Sequence, residues 1–298
     1  MFKKLGSAIG TVFGFILVLA FVVLMADSNA EAPNYKSVVY AQEKAIIYSE
    51  PVKPWEPPSI GGKTLVVTYG RIGSGSWGTL GAANTPEAAV DLAIQYANQV
   101  DLWNGSKGVV AVVNPNLSDY GGNEPEESFV NKLIAVARDK NAYVMLDVQP
   151  GTKEPEAFFK HFFDLYPDEN VWFDWDLEHT VGAVDAKQIN AVASEYFRQR
   201  QEKNYRSPGV FAFYIYDFSH IPNAGELVRD YEGGQVIPIF DGFGKRDAKI
   251  SKTNTFRQIF PESYGIMEFY SKWGYKYDNF SGEEYFRAFP DALLFARQ

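Results

Sequence analysis

From residue 63 to the end of the chain, short apolar runs rich in β-branched residues alternate with amphipathic runs. The eight apolar runs are 64–70, 108–115, 143–150, 170–178, 210–218, 236–244, 264–273 and 291–298. The seven amphipathic runs between them are 86–103, 125–140, 154–166, 185–203, 224–231, 252–260 and 282–289. Continuous apolar strands that alternate with helices are typical of a parallel sheet covered on both faces. Eight such units predict an α/β fold, a (β/α)8 barrel of the TIM type that lacks the helix after its last strand.

The alternative to a closed barrel is an open, doubly wound sheet. Such a sheet often carries a glycine-rich phosphate turn that passes directly into a helix after its first strand. The glycine-rich stretch 69–75 has neither a following Lys-Ser/Thr pair nor an immediate helix pattern. The sequence therefore favours the barrel.

The first 30 residues have the pattern of a targeting segment. Two lysines precede an uncharged stretch at 5–26, and the small residues Ser28 and Ala30 fit a signal peptidase site. The pattern predicts a cleaved signal peptide or a membrane anchor at 1–30. Either one makes the protein extracellular, as a secreted chain or one tethered to the outer face of the cell membrane. The proline-rich stretch 31–62 predicts a linker to a barrel domain at 63–298.

Charge and composition exclude several classes of function. The chain has 28 lysines plus arginines against 37 aspartates plus glutamates, a net charge of −9 at pH 7. Nucleic acid is therefore not an expected partner, because phosphate binding needs a cationic surface. The chain has no cysteine and three histidines, which excludes thiolate nucleophiles and cysteine-ligated zinc. We expect no cofactor and no metal, since the sequence has no Asp-x-Asp-x-Asp-Gly loop for a hard cation.

Acidic residues lie at the carboxyl ends of the predicted strands, where a barrel enzyme carries its active site. Because strand side chains alternate, Asp174, Asp176 and Glu178 share one face of the fourth strand. Repulsion among them should raise at least one pKa, and a protonated acid beside an ionised one suits glycosidic bond cleavage. We predict Glu178 and Asp176 as catalytic residues. We expect Asp174 to adjust these pKa values as well as to contact substrate. The full set of residues that we expect to bind substrate is Asp174, Asp147, Gln149, Tyr216, Asp241, Glu268, Tyr270 and Trp273.

Several motifs, in this order, resemble a family of uncharacterised exported bacterial proteins. The motifs are 146–151, 176–178, 185–192 and 241–244, and the C-terminal stretch 269–298 is similar as well. The resemblance covers roughly 108–298 and implies a barrel and export rather than an activity.

The fourth strand also looks like the Asp-x-x-Asp-x-Asp-x-Glu signature of chitinase-type glycoside hydrolases, with Val171 at its first position. This resemblance implies Glu178 as the general acid and Asp176 as its partner. The predicted function is a glycoside hydrolase-like barrel that acts on a cell-surface or extracellular polysaccharide. A non-catalytic carbohydrate-binding or envelope scaffold protein is the first alternative, and a metal-dependent hydrolase is the second.

Overall fold

The computed structural model describes residues 55–118, 125–177, 182–241, 244–269 and 281–298. The strands in these residues are β1 (Thr64–Gly70), β2 (Val109–Ser118), β3 (Tyr143–Val148), β4 (Val171–Asp176), β5 (Gly209–Ile215), β6 (Asp230–Tyr231), β7 (Gly234–Phe240), β8 (Gly265–Glu268) and β9 (Leu294–Arg297). The α-helices are α1 (Pro86–Trp103), α2 (Glu127–Asp139), α3 (Pro155–Leu165), α4 (Ala186–Glu202), α5 (Arg246–Ile259) and α6 (Gly282–Ala288).

Eight of these strands form a closed parallel barrel. Their order around the sheet is β5-β4-β3-β2-β1-β9-β8-β7, and a parallel pairing of β7 with β5 closes the circle. The two-residue strand β6 adds an antiparallel pair to β7 outside this circle. The predicted (β/α)8 barrel is confirmed.

The helices begin where side chains can replace missing backbone partners. The side chain of Thr85 accepts a hydrogen bond from the backbone N–H of Ala88, and Pro86 takes the first position of α1. At the start of α4, the side chain of Asp185 caps the first turn while that of Gln188 bonds back to the backbone of Asp185. These local signals explain why the predicted bounds of both helices agree closely with the structure.

The helix predicted at 224–231 is wrong. The structure has a 3-10 turn at Ala224–Glu226 and then the short strand β6. The Asn190 side chain donates to the carbonyl of Glu226 and accepts from the N–H of Val228, so it takes backbone groups that a helix would pair. Gly225 also lowers the helix propensity of this short run. In addition, α5 begins at Arg246, earlier than the predicted 252.

The apolar side chains form two layers, one inside the barrel and one between the strands and the helices. On β4 the side chain of Trp172 belongs to the inner layer, whereas Phe173, Trp175 and Leu177 belong to the outer one. Alternation along a strand therefore directs Asp174 and Asp176 into the barrel. The face that the sequence predicted for these two acids is confirmed.

Residues 55–60 cover the amino-terminal end of the barrel. The ring of Trp55 meets that of Tyr143 edge to face, with 5.7 Å between centroids. The Tyr143 hydroxyl donates to the carbonyl of Pro58 over 3.1 Å, and Ile60 is buried among the inner side chains. The end of the predicted linker thus packs on the barrel.

The remaining N-terminal predictions concern residues that the structure does not describe. The predicted targeting segment 1–30, with its possible anchor at 5–26, and the linker residues 31–54 all lie outside the described residues. Among the residues that are described, no helix combines the length and the apolar character needed to cross a membrane.

Candidate active site

The carboxyl ends of β1 to β5 place a layer of polar side chains inside the barrel. Asn116 pairs in register with Asp147 across β2 and β3, and Asp147 pairs with Asp174 across β3 and β4. Residues in register on neighbouring parallel strands point to the same side of the sheet. The structure therefore brings together side chains from separate parts of the sequence: Tyr69, Asn114, Asn116, Asp147, Gln149, Asp174, Asp176 and Tyr214.

Asp147 is fully buried at the centre of this layer. Its Oδ2 atom accepts hydrogen bonds from the Tyr69 hydroxyl at 2.9 Å, from Asn116 Nδ2 at 2.6 Å and from Gln149 Nε2 at 2.9 Å. Burial, and then the charge of Asp176, raise the pKa of Asp147 to about 7 in spite of these three donors. The carboxyl group of Asp147 therefore changes charge near neutral pH.

Asp174 is also fully buried, beside Asp147. Its Oδ1 atom accepts from Asn114 Nδ2 at 2.9 Å, while Asn114 also donates to the Met145 carbonyl and accepts from the Tyr214 hydroxyl. Burial first, and the charge of Asp147 second, hold the pKa of Asp174 well above its ordinary value. The prediction that at least one acid of β4 has a raised pKa is confirmed, with burial rather than repulsion as the larger cause.

Asp176, the last residue of β4, is the half-buried acid of the group. Its Oδ2 atom lies 3.4 Å from Gln149 Nε2, the same amide nitrogen that lies 2.9 Å from Asp147 Oδ2. The two hydrogen bonds of one nitrogen keep these carboxylate oxygens within about 6 Å of each other. One amide group thus connects a buried acid with an acid at the mouth of the barrel.

Tyr216 and Asp241 lie at neighbouring strand ends. Tyr216 directly follows β5, two residues after the inward-facing Tyr214, and its ring meets that of His220 edge to face at 4.5 Å. Asp241 directly follows β7, is buried, and donates its backbone N–H to the carbonyl of Ile215. Both predicted residues therefore lie at the carboxyl end of the barrel.

Glu268 does not join this group. Its Oε2 atom accepts from the Tyr96 hydroxyl of α1 at 2.7 Å and lies 4.0 Å from Arg297 Nε. A methyl group at Gly282, in the first turn of α6, would come within 2.2 Å of the same oxygen. Glu268 is packed between the barrel and its helices, whereas the preceding residue, Met267, faces the interior.

Three predicted site residues lie outside the described residues. They are Glu178, for which a catalytic role is predicted, and Tyr270 and Trp273, for which substrate binding is predicted. Their roles remain predictions.

Four members of the polar layer were not predicted from the sequence. They are Tyr69, Asn114, Asn116 and Tyr214. The two asparagines carried a readable signal, since they stand two residues apart in an otherwise apolar run and so share one face of β2. The tyrosines carried none, because an aromatic residue in a strand usually packs in the core. Within the described ranges, no three His, Cys, Asp or Glu side chains are placed so that they could hold a metal ion.

Comparisons with known proteins give similarities at the level of fold. No protein-family model and no curated protein matches the chain. The xyloglucan-bound glycoside hydrolase family 5 enzyme PbGH5A of Prevotella bryantii has 10% identity and a TM-score of 0.46, with 81% of this chain and 91% of that one covered. A 2,3-dimethylmalate lyase has 10% identity and a TM-score of 0.45, with 78% and 74% covered. The maltogenic α-amylase AmyB of Thermotoga neapolitana has 10% identity and a TM-score of 0.35, with 69% and 58% covered. At these identities and scores the similarities carry no argument about activity.

Proposed function

We propose that this protein is an exported glycoside hydrolase-like enzyme that cleaves a cell-surface or extracellular polysaccharide by carboxylate acid–base chemistry. One observation carries the proposal: the Gln149 amide connects the buried acid Asp147, which lies beside Asp174, with Asp176 at the mouth of the barrel. Glycosidic bond cleavage needs one carboxyl group that holds a proton and another that is ionised. The raised pKa values of Asp147 and Asp174 support such a division among the acids of the barrel.

The roles of the acids follow from their depth in the barrel. Asp176 ends β4 and is half-buried, so its carboxylate is the described acid best placed to meet a sugar from solvent. We assign it the stabilisation of the positive charge that develops at the anomeric carbon, or direct attack on that carbon. Glu178, two residues further along, donates its proton to the leaving oxygen as the glycosidic bond breaks. Asp174, which is more deeply buried than Asp176 on the same strand, is assigned the adjustment of the pKa values of these acids.

Substrate contacts are assigned to residues at the other strand ends. Gln149 and Asp241 offer hydrogen-bonding groups, while the Tyr216 ring offers an apolar face for a sugar. Tyr270 and Trp273 are assigned the same role on their sequence positions alone. Glu268 is not included, because its carboxylate is bonded to Tyr96 beneath α1.

The test is reducing-sugar release by the full chain from a panel of chitin, peptidoglycan glycan strands and plant and bacterial polysaccharides. Glu178→Gln keeps the shape of the side chain but cannot donate the proton, so turnover should fall by about 100-fold or more. Glu232→Gln is the matched control, since Glu232 is exposed in the turn between β6 and β7, at the opposite end of the barrel.

Two outcomes contradict the proposal. Turnover that Glu178→Gln leaves unchanged would show that the assigned acid is wrong. Binding to a polymer without any turnover across the panel would favour the carbohydrate-binding scaffold over the enzyme.

A further inference from the structure

Asp147 and Asp174 are two fully buried carboxyl groups that are paired in register on neighbouring strands. In each group one oxygen accepts hydrogen bonds, namely Oδ2 of Asp147 and Oδ1 of Asp174. The other two oxygens, Asp147 Oδ1 and Asp174 Oδ2, are buried and have no hydrogen-bond partner in the described part of the chain. A buried polar atom without a partner is costly, and more so when it carries charge.

The donors around this pair are neutral. The side-chain hydrogen bonds that the described residues donate to the two carboxyls come from a tyrosine hydroxyl or a side-chain amide: Tyr69, Asn114, Asn116 and Gln149. The backbone of Asp174 adds one more to its own carboxyl group. No lysine or arginine among the described residues donates to either group. Within this part of the chain, two negative charges at this position would therefore have no cationic donor to compensate them.

Among the described residues, the titratable groups around the pair come from four strands. Tyr69 on β1 and Tyr214 on β5 both have a pKa raised well above its ordinary value by burial and by these acids, so both stay neutral. The charge of Asp176, at the end of β4, acts on the pair, and that of Asp241, after β7, acts on Tyr214 beside it. These described neighbours are thus neutral or acidic, which favours a proton over a second negative charge.

We propose that Asp147 and Asp174 share one proton between their two unpartnered oxygens, and that Gln149 transmits the charge of this pair to Asp176. The hydrogen bonds assign the proton to Asp174. Oδ2 of Asp147 has three side-chain donors and can carry the negative charge, whereas Asp174 has one side-chain donor and supplies an O–H from its own Oδ2 to Oδ1 of Asp147. Asp147 is then a positioning residue, since its anion holds the amide that reaches Asp176.

The sharing of the proton does not depend on the proposed function, whereas the influence on Asp176 does. The sharing is tested on the full chain with 13C-labelled aspartate, by infrared spectroscopy or NMR of the side-chain carboxyl groups. Near pH 8, above the value of about 7 at which Asp147 ionises, we expect the signal of one protonated aspartic acid. Asp174→Asn should remove this signal. Asp147→Asn should lower the pH at which the remaining acid ionises by about one unit or more, because the neighbouring charge is gone.

The matched control is Asp139→Asn, since Asp139 is exposed at the end of α2. This substitution should change neither the signal of the protonated acid nor the pH at which that acid ionises. The absence of a protonated carboxyl in the wild type near pH 8 would overturn the proposal, and so would a signal that survives Asp174→Asn at the same pH. The wild-type titration needs no variant, so it decides the question even if a substitution prevents folding.

The link to Asp176 is tested with Gln149→Met, which keeps the length of the side chain and removes its hydrogen-bond donor. The ionised form of Asp176 loses a hydrogen-bond donor in this variant, and this loss should raise the pKa of Asp176. The acid side of the pH profile of turnover should therefore move to higher pH, while the signal of the shared proton remains. An unmoved profile would overturn this link. Absence of turnover with an intact signal would contradict the proposed function and leave the shared proton standing.

Discussion

Replacing Asp147 with asparagine should change how the stability of the protein depends on pH. Asparagine has nearly the same shape, and its amide oxygen can accept the hydrogen bonds that Tyr69, Asn116 and Gln149 now donate. It has no proton to lose in this pH range. The difference between the two proteins therefore reports the ionisation of Asp147 together with the effect of its charge on the neighbouring Asp174.

The magnitude follows from the pKa of Asp147 in the folded and unfolded states. The folded value is about 7 and the ordinary value is 3.8. A raised folded pKa means that the folded state binds the proton more tightly. The stabilisation is therefore complete below pH 3.8 and is lost as pH rises through about 7. About three pK units at 1.36 kcal/mol each give roughly 4 kcal/mol.

The assay is urea-induced unfolding followed by tryptophan fluorescence, for which the buried Trp172 and Trp175 are suitable probes. We expect wild type and Asp147→Asn to have similar free energies of unfolding near pH 4. The variant should become more stable than wild type by up to about 4 kcal/mol near pH 8. Asp139→Asn should follow the wild type throughout. Parallel curves for wild type and Asp147→Asn would refute the reasoning, because the folded-state pKa of Asp147 would then be ordinary.

Four further substitutions test packing, helix capping and buried hydrogen bonds in the fold. Gly282→Ala would force a methyl group against the carboxylate of Glu268 and should cost about 1–3 kcal/mol of unfolding free energy. Gly225→Ala, which meets no atom within 4 Å, should change it by less than about 0.5 kcal/mol in the same urea titration. Asp185→Ala removes the cap of α4 and should cost about 1 kcal/mol, seen as a lower urea midpoint with an unchanged slope. Arg200→Met removes the guanidinium donor of the Ser207 carbonyl and leaves the carbonyls of Glu169 and Val171 with one hydroxyl donor each. It should lower the melting temperature through a loss of about 1–3 kcal/mol; an unchanged melting temperature would contradict this account of Arg200.

The barrel could be predicted because a strand buried on both faces must be apolar throughout, and such a strand is visible in the sequence as a continuous apolar run. The face shared by Asp174 and Asp176 could be predicted for a similar reason, since polar residues at every second position interrupt the apolar run of that strand. The same alternation predicts that Glu268 and Tyr270 share one face of their strand, but it does not predict which face points into the barrel. The neighbours Ile266 and Met267 are both apolar and could pack either inside the barrel or against the helices. The orientation of Glu268 is set by its contact with Tyr96 of α1.

The hydrogen-bond layer could not be predicted because its members meet only through strand register. Tyr214 on β5 bonds to Asn114 on β2, and Tyr69 on β1 bonds to Asp147 on β3. These pairs join strands that are not neighbours, across the interior of the closed barrel. Their contact depends on how far the strands are staggered around the barrel, which no local pattern in the sequence encodes.

The apolar floor of the barrel has a kinetic consequence for the two buried acids. Tyr143 and Trp172 stack with 4.0 Å between their ring centroids, and Ile60 closes the amino-terminal end beside the inner side chains. Among the described residues, such close packing opposes the entry of water from that end. We therefore expect protons to reach Asp147 and Asp174 from the carboxyl end, past Gln149 and Asp176. The rate at which the pair exchanges its proton with solvent would then depend on access from the same end that we propose for the substrate.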